Sequence, residues 1–97
     1  MPKKNYNSLE YKKLASARRS KMRAIFDRLD GLAKKKFTLA KGETWGRWQA
    51  LGQDMGLSVH TFFYWTKTGR VPLASALALE QRYGTKLVKA KFLNSAE

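Results

Sequence analysis

Apolar residues return every three or four positions through most of the chain, in stretches separated by short polar or glycine-bearing interruptions, which is the pattern of helices joined by turns. The first stretch is long. Tyr11, Leu14, Ala15, Met22, Ile25, Phe26, Leu29 and Leu32 fall at helical steps, and Ser8 stands where a cap belongs, so a helix is expected over 9–33. Its two halves differ: up to Arg23 the apolar side is thin and Lys12, Lys13, Arg18, Arg19, Lys21 and Arg23 crowd the rest. From Met22 to Leu32 the stripe is fuller, and this half is expected to pack as the first core helix.

Between 44 and 84 the pattern becomes shorter and more punctuated. Thr44 is a candidate N-cap for a second helix over 45–55, on which Trp48, Leu51, Gly52 and Met55 share a face. Gly56 ends that helix in a left-handed conformation, Leu57 plugs the corner, and Ser58 caps a third helix over 59–67. In the third helix Phe62, Trp65 and Thr66 turn inward, while Val59, His60, Phe63, Tyr64 and Lys67 face away. Gly69 stops it, and Pro72 opens a fourth helix that runs through Leu73, Leu77, Leu79 and Tyr83 to Gly84. The tail admits two readings. Val88, Ala90 and Phe92 alternate with Lys89 and Lys91 as in a half-buried strand, which a strand at 37–39 would pair with; Leu87, Val88, Lys91 and Phe92 equally form a short helical stripe.

Composition narrows the chemistry. A length of 97 residues suits one small domain with an appended arm, and 20 Lys+Arg against 7 Asp+Glu leave a formal charge of +13. With 43% hydrophobic residues the chain is expected to fold, where a disordered polycation would not. The charge is uneven: residues 1–36 hold twelve Lys/Arg and three acids (12 − 3 = +9), and residues 37–97 hold eight and four (8 − 4 = +4). This divides the chain into a basic N-terminal arm or helix, 1–36, and a domain, 37–97, with a soft boundary around 34–44. The absence of cysteine excludes disulfides and thiolate chemistry. His60 is the sole histidine and the acids are scattered singly, so metal sites and acid–base pairs lack material; neither enzymatic activity nor a cofactor is expected. No run reaches the ~18 apolar residues of a membrane span, and no apolar segment follows Lys3 and Lys4 to make a secretory signal. A soluble, intracellular protein is the expectation. The excess charge asks for a polyanion, and the narrow apolar side of the first helix, with no Trp at its edge, favours nucleic acid over a membrane surface.

Two short helices joined through a glycine-containing turn form the helix-turn-helix plan, whose second helix enters the DNA major groove. The run Leu51-Gly52-Gln53-Asp54-Met55-Gly56-Leu57-Ser58, followed by Phe62, Trp65, Gly69-Arg70-Val71-Pro72 and Leu79-Glu80, resembles the Cro/YdaS-like phage repressors of the lambda-repressor-like helix-turn-helix superfamily. The resemblance implies an all-α bundle of four to five helices, operator binding as a homodimer, and repression by occluding a promoter. Two features depart from the family: Gly52 stands where Ala is usual, and the outward face lacks the Gln, Ser, Asn and Arg that relatives often display.

On this reading Ser58, Val59, His60, Thr61, Phe63, Tyr64 and Lys67 are the candidate groove contacts. Val59 and Phe63 would touch thymine methyls, or else pack against the first helix or a second subunit; His60, Tyr64 and Lys67 would donate hydrogen bonds. Thr44, Trp45 and Arg47 lie near a helix start and Arg70 follows the third helix, all as backbone contacts, and Arg18, Arg19 and Arg23 serve from the arm, whose first half orders on DNA. Trp48 and Trp65 belong to the core rather than to base stacking. The expected function is a sequence-specific regulator of double-stranded DNA, a repressor from a phage, plasmid or other mobile element. The alternatives are an architectural or RNA-binding protein that works through its arm, and an operator-binding antitoxin with a toxin or other regulatory protein as partner.

Overall fold

A computed structural model describes the backbone of residues 9–94, with the side chains of Lys13 and of residues 16–94. Five helices account for its regular structure: α1 (Leu9–Lys34), α2 (Gln49–Met55), α3 (Val59–Thr68), α4 (Leu73–Tyr83) and α5 (Ala90–Asn94). The described residues thus form an all-α bundle. The expected cap at Ser8 and the expected apolar contacts of Tyr11, Leu14 and Ala15 lie outside the described side chains.

α1 runs unbroken and agrees with the helix expected over 9–33. Its stripe of Met22, Phe26, Leu29 and Ala33 is fully buried, and α2 and α3 pack against it. Phe26 sits at the centre. Its ring meets Trp48 edge-on at 5.4 Å and Phe62 at 5.3 Å, with Trp65 at 6.4 Å, an arrangement that the aromatic quadrupole favours. Val71, Ala76 and Leu79 from α4 and its approach, and Val88, Ala90 and Leu93 from the tail, complete one core.

α2 begins at Gln49, four residues later than expected, and Thr44 caps nothing. Trp48 occupies the N-cap position in a left-handed conformation (φ 58°); its carbonyl accepts from the Gly52 N–H at 2.9 Å, but its side chain has no oxygen to cap the helix. A carboxylate from elsewhere takes the role. Asp30 of α1, only 4% exposed, accepts from the backbone N–H of Leu51 at 2.9 Å, the third residue of α2 and the donor that an N-cap side chain ordinarily satisfies. One turn earlier, Asp27 accepts from Trp48 Nε1 at 2.7 Å. The local signal at Thr44 is therefore overridden by a long-range hydrogen bond.

The turn after α2 follows the expected chemistry. Gly56 is left-handed (φ 72°), Leu57 is half-buried against the core, and the Ser58 hydroxyl accepts from the His60 N–H at 3.2 Å to start α3. Gly52 is pressed by this turn: a Cβ there would lie 2.6 Å from the Leu57 carbonyl oxygen, which accounts for glycine at this position.

The tail is helical, and the strand reading of 88–92 with a partner at 37–39 does not hold. Glu80 of α4 accepts from the Ala90 N–H at 3.0 Å, which gives the first turn of α5 a carboxylate at its positive end. Phe37, placed in the expected partner strand, instead packs edge-on against Trp45 at 5.8 Å.

A fourth carboxylate ties α4 to the rest. Asp54, its side chain 4% exposed, receives Arg82 Nε and Nη2 at 2.8 Å each, the Tyr83 hydroxyl, and Lys36 Nζ at 3.1 Å. The Arg82 hydrogen bonds, which outweigh burial, hold the Asp54 carboxyl far below the usual carboxylate range; burial, reinforced by Asp54, pushes the Tyr83 hydroxyl above its ordinary value.

Two stability experiments follow from these contacts. Replacing Gly52 by Ala should lower the unfolding free energy by about 1–3 kcal/mol in a urea titration, because the collision with the Leu57 backbone outweighs the ~1 kcal/mol gain in helix propensity. Because the folded-state pKa of Asp54 lies below its unfolded value of about 3.9, its contribution is complete above that value and is lost as pH falls beneath it. Asp54→Asn should therefore cost about 2 kcal/mol at neutral pH and give a shallower decline in melting temperature below about pH 4.

Candidate nucleic-acid interface

α3 has a buried ridge and an open one. Phe62, Trp65 and Thr66 face the core, and the Thr66 hydroxyl is satisfied locally by the Phe63 carbonyl at 2.9 Å. Opposite them, His60, Tyr64 and Lys67 form an exposed line along the helix, with Tyr64 64% exposed. The other candidates are set further back. Val59 falls beside Thr66 on the helical wheel and is half-buried, as is Thr61 on the opposite flank. Phe63 is 42% exposed, but its ring lies 4.9 Å from that of Trp48, so part of its surface already has a partner. Ser58 is exposed, with its hydroxyl engaged in capping.

At the C-terminal end of this line the exposed residues meet α1. Arg19 shares a groove with Tyr64, Lys67, Thr68 and Arg70, above Trp65 and Pro72. Three cations thus converge from two elements far apart in the chain, and among the described residues none of them has a carboxylate partner. Arg23 lies on the same flank of α1 as Arg19 and donates to Ser20 Oγ at 3.4 Å. Arg18, turned about 100° from Arg19 on the helix, is half-buried and does not line the groove.

The candidates near the start of α2 differ in their surroundings. Arg47 pairs with Asp27 at 3.4 Å and lies over the Trp48 ring at 4.5 Å, so its guanidinium is held against the body. Trp45 is half-buried on Phe37, and Thr44 is exposed in the preceding loop.

Reading the residue pattern alone misses what the acids do. Asp27, Asp30, Asp54 and Glu80 are engaged as described above, and Glu43 accepts from the Ala40 N–H at 2.8 Å. Every carboxylate among the described side chains is therefore bonded within the chain, with Asp27 exposed on α1 beside Arg47. A signal existed for Asp30, which follows Phe26 and Leu29 at the margin of the apolar stripe, where a charge must find a partner.

Among the described residues no three His, Asp or Glu side chains group as a metal site, and no helix is long and apolar enough to cross a membrane. In comparisons with family models, curated proteins and solved structures, nothing matches the chain. The exposed line carries little of the folding energy. Substituting His60, Tyr64 and Lys67 together by Ala should leave the unfolding free energy within about 0.5 kcal/mol per site, whereas Phe62→Ala should cost about 3–5 kcal/mol by chemical denaturation.

Proposed function

We propose that the protein is a sequence-specific double-stranded DNA-binding regulator that places α3 in the major groove and acts as a repressor, as a homodimer, in the bacterial cytoplasm. The observation that carries this reading is the continuity of the exposed His60–Tyr64–Lys67 line with the cationic groove of Arg19, Lys67 and Arg70. A helix of ten residues spans about 15 Å, and the major groove, about 12 Å wide, admits it.

Each side chain then has a defined task. His60 and Tyr64 meet base edges with hydrogen-bonding groups, and the exposed edge of Phe63 meets thymine methyls. Lys67 and Arg70 hold one phosphate run while Arg19 approaches it from α1, the guanidinium groups offering paired donors to phosphate oxygens. The exposed line of α3 contains no Arg, Asn or Gln, so two-point base recognition is sparse and the shape of the DNA carries part of the specificity. Paired subunits would set α3 in successive grooves about 34 Å apart and block polymerase access by occupancy.

Selection of duplexes from a random pool, followed by affinity measurements over a salt series, tests the proposal. A recovered motif with two half-sites about one helical turn apart is expected, and Tyr64→Ala should relax preference at one position. Replacing Arg19, Lys67 and Arg70 together by Ala should reduce the salt slope by about 2–3. Equal affinity for scrambled duplex at physiological salt would sink the claim of sequence specificity. Binding that survives those substitutions but disappears on removal of residues 1–20 would transfer the function to the arm.

A further inference from the structure

We propose a second binding surface, distinct from the cationic groove beside α3: a trough between α1 and the tail that docks an acidic amphipathic segment of a partner protein. Its floor is apolar, formed by Ile25 of α1 with Leu87 and Phe92 of the tail. Its rim is cationic, with Lys21 and Arg28 on the α1 side and Lys86 and Lys89 on the other. None of these four cations has a carboxylate partner among the described residues; Lys21 Nζ lies 5.8 Å from the centre of the Phe92 ring. At 3.6 residues per turn, Lys21, Ile25 and Arg28 fall on one flank of the buried α1 stripe, and Arg19 and Arg23 fall on the other. The two surfaces share no lining residue.

The chemistry of the trough selects its occupant. Nucleic acid would satisfy the rim but gain little from Ile25, Leu87 and Phe92, since phosphates offer nothing to an apolar floor. A second copy of this chain is a poor fit, because it carries +13 and its described carboxylates are bonded internally. A single anionic head group would reach only part of the rim: Lys21 and Arg28 are seven residues apart on α1, about 10 Å along the axis. A partner helix with apolar side chains on one stripe and carboxylates flanking it two turns apart matches both floor and rim. The charge steers such a segment in and the apolar contacts hold it.

The test titrates the full-length protein with a labelled synthetic helical peptide of about 15 residues, with Leu at i, i+3, i+4 and i+7 and Glu at most other positions. Three controls accompany it: a Glu-to-Gln version, a Leu-to-Ser version, and vesicles of phosphatidylglycerol. The proposal expects saturable binding of the first peptide, at least about tenfold weaker binding of both altered peptides, and amide NMR shifts confined to residues 21–28 and 86–92. Lys21→Glu with Lys89→Glu, two exposed positions, should weaken the peptide at least about tenfold, and Lys86→Glu alone should act in the same direction. Any of three results overturns the proposal: equal binding of an altered peptide, shifts centred on residues 60–70, or stronger binding of vesicles to the same resonances. No DNA enters this titration, so its failure and the failure of the DNA-binding reading are separately visible.

Discussion

The arrangement rests on two carboxylates of α1, one turn apart, that hold the start of α2. A seven-residue helix whose entry residue is a left-handed tryptophan has little tendency to form by itself, since nucleation is costly and its N-cap residue offers no side-chain acceptor. Asp30 supplies the acceptor to Leu51 from outside the segment, and Asp27 fixes the Trp48 ring that packs on Phe26 and Phe62. Position then propagates. α2 places the left-handed Gly56, the turn places Ser58, and Ser58 starts α3, so the direction in which His60, Tyr64 and Lys67 point is set by two acids on a different helix.

Those acids also shape the field outside the molecule. Surface ion pairs contribute little to stability, and among the described carboxylates Asp27 forms one, with Arg47. Here Asp30 and Asp54 are buried and bonded to several donors, and Glu43 and Glu80 accept from backbone amides. Negative charge is thereby withdrawn into capping and cross-linking, where it organises helix ends, while Arg19, Lys67 and Arg70 on one side and Lys21, Arg28, Lys86 and Lys89 on the other are left without counter-charges among the described residues. The same arrangement stabilises the fold and concentrates positive potential on two faces.

Much of this fold is legible in the order of residues. The ends of α1, α3 and α4 follow from apolar periodicity together with Ser58, Gly69, Pro72 and Gly84, because each signal acts within one turn of the helix it bounds. The start of α2 and the state of the tail are not legible in this way. Thr44 carries a good local signal that loses to Asp30, twenty-one residues before Leu51, and the tail's alternation loses to a cap from Glu80, ten residues before Ala90. Within the site, the outward placement of His60, Tyr64 and Lys67 is visible from helical spacing, but the partial withdrawal of Phe63 is not, since it depends on Trp48 arriving from outside α3. The pairing of Arg47 is not legible for the same reason: its partner, Asp27, is distant in the chain.

The tight seat of Gly52 under the Leu57 carbonyl divides the molecule by its tolerance of change. Alteration on the inner side of the turn moves Leu57 and Ser58 and hence reorients α3 as a whole, so that side is closed to gradual variation. On the outer line of α3, His60, Tyr64 and Lys67 are exposed. Substitutions at His60, Tyr64 and Lys67 can therefore accumulate one at a time, on a frame that does not have to be rebuilt at each step.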